Sequence, residues 1–536
     1  MKTIRNLSLL TLMAVAFLLS SCSKTPKSAK LIPENANVVM RFDVKQIAEK
    51  SGLGKDDKIK NELKGELKKS GLPKTLQTKM EAILDAPAKS GVDLREPIFA
   101  YVVAAPKPKV GIVGSVLDAK EFESLINDVS KEMGGEQLKN ENGLRYMAIE
   151  ESLFAFNDES FAFIGNEDYN TDPKKMLDDV KELFASDGKK TMYENEFFKQ
   201  MCGKKGVAQF LVNYNGLEKT VPGMMEAMTM MPEGIKLDDI AYLTDIDVKE
   251  GESAAVVEIL SKSKQWDDLM NKNKDICPVI KGDLLKYTSK DGFALLANIN
   301  GSKWYDFFKT MPIVKKIPKE AMELIQKAAM TINGDISMSL SFSDTGLAKN
   351  NILNMLRFNV MIQTKDAALV DLSKTFGIIS SDIPQYAPSC YAIPANWGMG
   401  NQEAINFGFK NNLTFFFAGK PGQDFFTAAN PVTADDVKNH RMYMYFNFNL
   451  LNKVAESLNS QEKIAVKEAA KIFEYAEAYD ESTTKFIIRL VNKDKEKNIF
   501  QLLYTTAGTL SNLYQQNYLI VDEDMKQPAD LPAVME

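Results

Sequence analysis

The chain has 536 residues, a net charge of −6, 45% hydrophobic and 26% charged residues, four cysteines and a single histidine. An acidic chain without a basic block is a poor nucleic-acid binder, because phosphate affinity comes from Lys and Arg. One histidine excludes the His₂ and His₃ zinc-hydrolase sites. With no C-x-x-C pair, a thiolate zinc site or a thioredoxin-like motif has no support either.

Residues 1–21 read as a signal peptide. Lys2 and Arg5 are the basic start, Leu7 to Leu19 is an apolar stretch too short to span a bilayer comfortably, and Leu19-Ser20-Ser21-Cys22 closes it. This closing sequence resembles the lipobox of bacterial lipoproteins. The resemblance implies acylation of Cys22, and two or more chains anchor stably at about 0.8 kcal/mol per buried methylene. Removal of residues 1–21, which carry Lys2 and Arg5 and no acid, leaves 515 residues with a charge of −8, long enough for two or more domains. Residues 22–30 read as a solvated tether. Ser23 after the cysteine is compatible with outer-membrane sorting. Lys24, Lys27 and Lys30 make the tether basic, which favours the periplasmic face over the cell surface.

From Val38 onward the chain reads as α+β, in two tandem copies of a strand–helix and β-hairpin–helix unit, with mostly antiparallel sheets covered by helices. The copies are placed at 31–288 and 289–515, followed by a C-terminal tail at 516–536. Lys55 to Lys69 has Ile59, Leu63 and Leu67 on one face and predicts a solvated amphipathic helix. Asp118-Ala119 and Asp366-Ala367 each end a strand and open a helix. Phe154-Ala-Phe156, a polar turn and Phe161-Ala-Phe163 recur as Phe407-Gly-Phe409, a turn one residue longer, and Phe415-Phe-Phe417. Alternation predicts that these rings share one sheet face. Four further strands end in Asp43, Asn213, Asn298 and Asn447, where a cap or turn is the expected role.

Several stretches carry candidate chemistry. Asp168-Tyr-Asn170-Thr-Asp172 opens like a calcium loop with Asp179 at its twelfth place, but Pro173 stands where the sharp turn needs glycine. An N-cap at Asp172 explains the same residues. Ser261 to Lys264 and Ser460 to Lys463 match S-x-x-K without its companion motifs. Asp245 and Asp247 share a strand face, as a carboxylate-based hydrolase would need. His440 lies in a polar connector, where an exposed loop histidine is expected. Cys202, Cys277 and Cys390 are expected to be buried thiols. Met224, Met225, Met228, Met230 and Met231 crowd one segment, which packs into a core, forms an adaptable apolar surface or holds Cu(I). No P-loop or dinucleotide fingerprint occurs, so no cofactor is expected.

The start of the body, Leu31-Ile-Pro33-Glu-Asn-Ala36-Asn-Val38-Val39 with Phe42-Asp43, is similar to the opening of a family of Bacteroidetes cell-envelope lipoproteins of no assigned function. That resemblance implies an envelope location and brings no catalytic residue. The expectation is therefore a lipid-anchored, non-enzymatic binding or scaffold module. Its partners are the membrane, through the lipid on Cys22, and either an envelope protein or an apolar ligand. A carrier of an apolar ligand and a carboxylate hydrolase are the alternatives.

Overall fold

The computed structural model describes residues 26–506 except 54–56, 105–107, 134–135, 150–151, 167–172, 215–233, 343–355, 376–381, 394–403, 426, 456–459 and 505. Cys22, the methionine segment Met224 to Met231, the Asp168 to Asp172 stretch and the 516–536 tail lie outside the described residues.

The chain is α+β, and its strands form one antiparallel sheet. In the first half the strands are β1 (Val38–Phe42), β2 (Ile98–Val103), β3 (Lys109–Ser115), β4 (Lys139–Glu141), β5 (Leu144–Ile149), β6 (Ser152–Phe156), β7 (Ser160–Asn166), β8 (Ala208–Asn213), β9 (Ile240–Lys249) and β10 (Glu252–Ser261). In the second they are β11 (Phe293–Asn300), β12 (Ile332–Phe342), β13 (Leu356–Thr364), β14 (Gln385–Ala387), β15 (Cys390–Ile393), β16 (Ala404–Lys410), β17 (Leu413–Gly419), β18 (Met442–Asn447), β19 (Phe473–Ser482) and β20 (Lys485–Asn492).

Strand pairing gives the first half the spatial order β4-β5-β6-β7-β3-β2-β1-β8-β9-β10. The second half runs β14-β15-β16-β17-β13-β12-β11-β18-β19-β20, the same order with each strand replaced by its counterpart. The halves join where β10 pairs antiparallel with β20. Carrying the registers across each half puts Asp43 on Asn298, Asp118 on Asp366 and Asn213 on Asn447. It also makes Val256 and Ile487, which face each other at the seam, equivalent residues. The seam is thus a strand paired with its own counterpart about a local two-fold axis. Arg489 on β20 spans it, bonding Glu252 of β10 at 2.6 Å and Glu477 of β19 at 2.5 Å. Such charge pairing penalises a slipped register.

Local chemistry explains the element ends. Asp43 accepts from Gln46 N and caps α1 (Val44–Ser51), which stops at Gly52 in the left-handed conformation. Asp118 caps α4 (Ala119–Met133), counting α2 (Asp57–Lys69) and α3 (Lys74–Asp85) before it. Leu67 of α2 is buried against α3 and α4, while the rest of α2 is solvated as expected. Next come α5 (Pro173–Ala185), opened by its proline, α6 (Glu196–Cys202) and α7 (Lys264–Ile276). The second half supplies α8 (Gly301–Phe308), α9 (Lys319–Thr331), α10 (Ala368–Thr375), α11 (Asn449–Ala455), α12 (Ser460–Ile472) and α13 (499–504). Asp366 bonds Ala368 N and Thr331 Oγ1 at the start of α10.

Four expectations need correction. Lys27 to Lys30, the end of the stretch read as tether, belong to a 3-10 turn (Lys27–Leu31) with Ser28, Ala29 and Leu31 buried against the sheet. Only part of the Asp/Asn set caps helices. Asp43 and Asn447 do, but Asn298 donates to Val279 O and Asp335, Asn213 donates to Ala36 O, and Asn300 takes the cap of α8. His440 is half-buried, with Nδ1 2.7 Å from Asp480 O and its ring against Tyr479.

The fourth concerns the phenylalanine hairpins. In β6–β7, Phe154 faces Phe163 and Phe156 faces Phe161, all on one face beneath Phe122 of α4. In β16–β17, Phe407 faces Phe416, and Phe415 and Phe417 lie opposite Gly408 and Asn406 on the other face. The second turn is not longer. Asn411 and Asn412, both at positive φ, make a two-residue hairpin turn, and Asn157–Ser160 pairing closes the first one equally tightly. The motif in β17 is shifted by one place, which reverses its face. Phe415 and Phe417 therefore occupy the positions of Ala162 and Ile164. The first half fills that side with Phe197 and Phe198 of α6, whereas the described residues between β17 and β18 contain no α-helix, so larger strand side chains occupy the volume.

Candidate apolar ligand face

Strands such as β1, β2 and β11 bury alternate residues, and in most proteins the buried set is the apolar one. Here both sets are apolar over much of the sheet. The buried set includes Val39, Phe99, Leu211 and Leu243 in the first half and Leu296, Met361 and Tyr443 in the second.

The opposite set lines up across the strands. In the first half one row runs Ile112, Ala100, Met40, Phe210, Thr244 and Val257, each directly paired with the next. Its counterpart in the second half runs Val360, Met338, Leu295, Met444, Ala478 and Ile488. None of the twelve carries a charge and none is buried. Met338 is 37% exposed and Ile488 45%. The rows meet at the seam, where Val257 faces Phe486 and Ile488 faces Ala255.

Strand β12 shows how unusual the arrangement is. Ser337 and Ser339 are buried while Met338 between them is exposed. Asp335, fully buried on the serine side, accepts bonds from Lys281 N, Gly282 N, Asp283 N and Asn298 Nδ2. Asp335 of β12 is thus satisfied in the interior, while Met338 on the other side is exposed. Large rings neighbour the second-half row: Phe358 stacks on Phe416 at 4.9 Å, and Phe407, which meets Phe416 edge-on, packs against the buried Val370, Ile383 and Tyr391. At about 4.8 Å per strand each row is about 24 Å across. A lipid tail spans half of a hydrocarbon core of about 30 Å, so it fits within one row.

The predicted carboxylate pair is not held as a pair. Asp245 accepts from Gly206 N and Gln209 Nε2. Asp247 is ion-paired with Lys50 at 2.8 Å; burial pushes its carboxyl up, but the Lys50 bond and charge outweigh that and hold it low. Asp179 is ion-paired with Lys109. Ser263 caps α7, and Ser261 bonds the Ser263 backbone, so this S-x-x-K is a helix start. Cys202, Cys277 and Cys390 are free thiols; burial pushes Cys202 up to about 12, against a smaller opposing effect of Arg41. Among the described residues, no group of three or more His, Cys, Asp and Glu could hold a metal ion, and no helix is long and apolar enough to cross a membrane.

The apolar rows were missed at the sequence level, although the apolar residues at both alternate sets in Ile98 to Val103 and Phe293 to Ala297 were their signal. Such runs read as strands buried on both faces.

Comparison with curated proteins gives no match. Among solved structures, three chains described as crystal forms I, III and IV of TP0453 are similar at 14% identity. They cover 47%, 48% and 44% of this chain and 86%, 88% and 81% of their own, with TM-scores of 0.24, 0.25 and 0.25. Residues 29–372 match the family model described as "Domain of unknown function (DUF4836)", and since that is more than half of the chain, the protein belongs to this family.

Proposed function

We propose that this protein is a lipid-anchored, non-enzymatic envelope protein that binds an apolar ligand, such as a lipid tail, across the open face of its sheet. The observation that carries the reading is the pair of uncharged, unburied rows through Met40 and Met338. A contiguous apolar surface of this kind is costly to leave in water and marks a binding surface. Its extent favours the carrier reading over a general scaffold.

The anchor belongs to the same proposal. Cys22 carries the lipid. The 3-10 turn starts at Lys27, so at most four residues of sequence lie between it and Cys22, a reach of at most about 14 Å. The body therefore works close to its membrane, on the periplasmic face of the outer membrane. The matching strand orders and the equivalence of Val256 with Ile487 support an origin by tandem duplication, which makes the two rows copies of one ligand surface.

The test is fluorescence titration of the unlipidated mature protein with cis-parinaric acid, a long-chain fatty acid. Met338→Asp and Ile488→Asp each place a charge in the second row and are expected to weaken binding by at least about ten-fold. Wild-type affinity in both variants, with folding unchanged by circular dichroism, would sink the assignment.

A further inference from the structure

The segment that leads from the anchor to the first strand is built into the first half. Ser28, Ala29, Leu31, Ile32 and Ala36 are buried. Met192 N donates to Ile32 O, Glu34 N donates to Lys190 O, and Pro33 bridges to Thr191. Lys30 is ion-paired with Asp187 at 2.6 Å. A segment held in this way is not a loose linker, so it fixes the place on the body from which the tether departs.

That place is the β6–β7 turn. Lys27, the first residue of the 3-10 turn, is ion-paired with Glu159 at 2.9 Å. The Glu159 carbonyl accepts from Val116 N, which brings the chain after β3 beside the same turn. The next residue, Leu117, is 44% exposed. A lone exposed leucine is ordinary, but this one has two distinguishing features. It lies beside the departure point of the tether, and its equivalent in the second half is Lys365, the residue before Asp366. The charges of the turn are paired, since Arg145 bonds Asp158 at 2.9 Å and Glu123 at 3.0 Å. A lipid surface accepts such an edge: an apolar side chain enters the boundary between headgroups and acyl chains, and paired charges stay at headgroup level.

We infer that the corner formed by Leu117 and the β6–β7 turn is the edge of the body that rests on the bilayer, with Leu117 entering the headgroup boundary. The inference rests on the proposed anchor at Cys22 and adds an orientation to it. The first half meets the membrane, and the equivalent corner at Lys365, about 50 Å away along the sheet at about 4.8 Å per strand, does not.

The test uses the full mature chain as the cell processes it, mixed with vesicles of phosphatidylcholine brominated on its acyl chains, which quench tryptophan at short range. Leu117→Trp is expected to lose most of the emission that it adds to wild type, and Lys365→Trp is expected to keep the emission that it adds. Both positions are exposed, so neither ring has to enter the core. An unquenched Leu117→Trp, or equal quenching at the two positions, in protein that floats with the vesicles would overturn the edge and leave the anchor standing. Wild-type protein that does not float with the vesicles would end the anchor and the edge together.

Discussion

Met338 and Leu296 lie on adjacent strands and point to opposite sides of the sheet, so their truncation compares the open face with the core. Leu296 is fully buried. Leu296→Ala removes its side chain from a packed cluster and should cost about 2–5 kcal/mol. Met338 is 37% exposed. Full burial of a methionine stabilises by about 1.5–3 kcal/mol, and with more than a third of that surface already in water, Met338→Ala should cost about 1–2 kcal/mol, with little cavity penalty. The assay is urea unfolding of both variants, followed by a fluorescence probe in the second half, with equal m-values required for comparison. Met338→Ala as destabilising as Leu296→Ala would mean that the face is closed and packed, and the ligand reading would lose its basis.

Asp335→Ala should destabilise the second half by about 3–5 kcal/mol, since it leaves three backbone donors and Asn298 Nδ2 without the buried acceptor; a midpoint within error of wild type would refute this. Burial raises the Asp436 carboxyl, but bonds from Thr433 and Lys290 outweigh it and hold the carboxyl below its usual 3.8. A depressed carboxyl contributes stability that is present above the unfolded value and lost as pH falls through the folded one. Asp436→Asn should therefore show a shallower loss of stability below about pH 4 than wild type, read from acid titrations of the unfolding midpoint. Cys202, with its thiol pushed up to about 12, should resist a thiol reagent at pH 8 until urea unfolds the chain; rapid labelling in the native protein would contradict its seat. Cys22→Ala should release the protein from membranes, and retention in the membrane fraction would end the anchor proposal.

Much of this was legible in order along the chain. The strands that end in Asp43 and Asn213 and the caps at Asp43, Asp118 and Asp366 follow from alternation and from side chains that reach their own backbone within three residues. These are short-range effects, so a few residues carry their whole cause. The misread turn at Asn411–Asn412 shows the limit of that range. Matching F-x-F motifs suggested an inserted residue, and only cross-strand pairing revealed that Phe415 and Phe417 had changed faces.

The sequence alone determined the periodic elements and an α+β composition, and it raised the expectation of a repeated unit. Tertiary structure decided how those elements are joined. Strand order and the β10–β20 seam depend on contacts between residues far apart in the chain, down to Asn498 against Lys50. It also decided which of two apolar strand faces is core. Periodicity separates alternate residues but does not say which side is covered, and Met338 and Leu296 look alike until the segments that cover Leu296, and leave Met338 open, are in place.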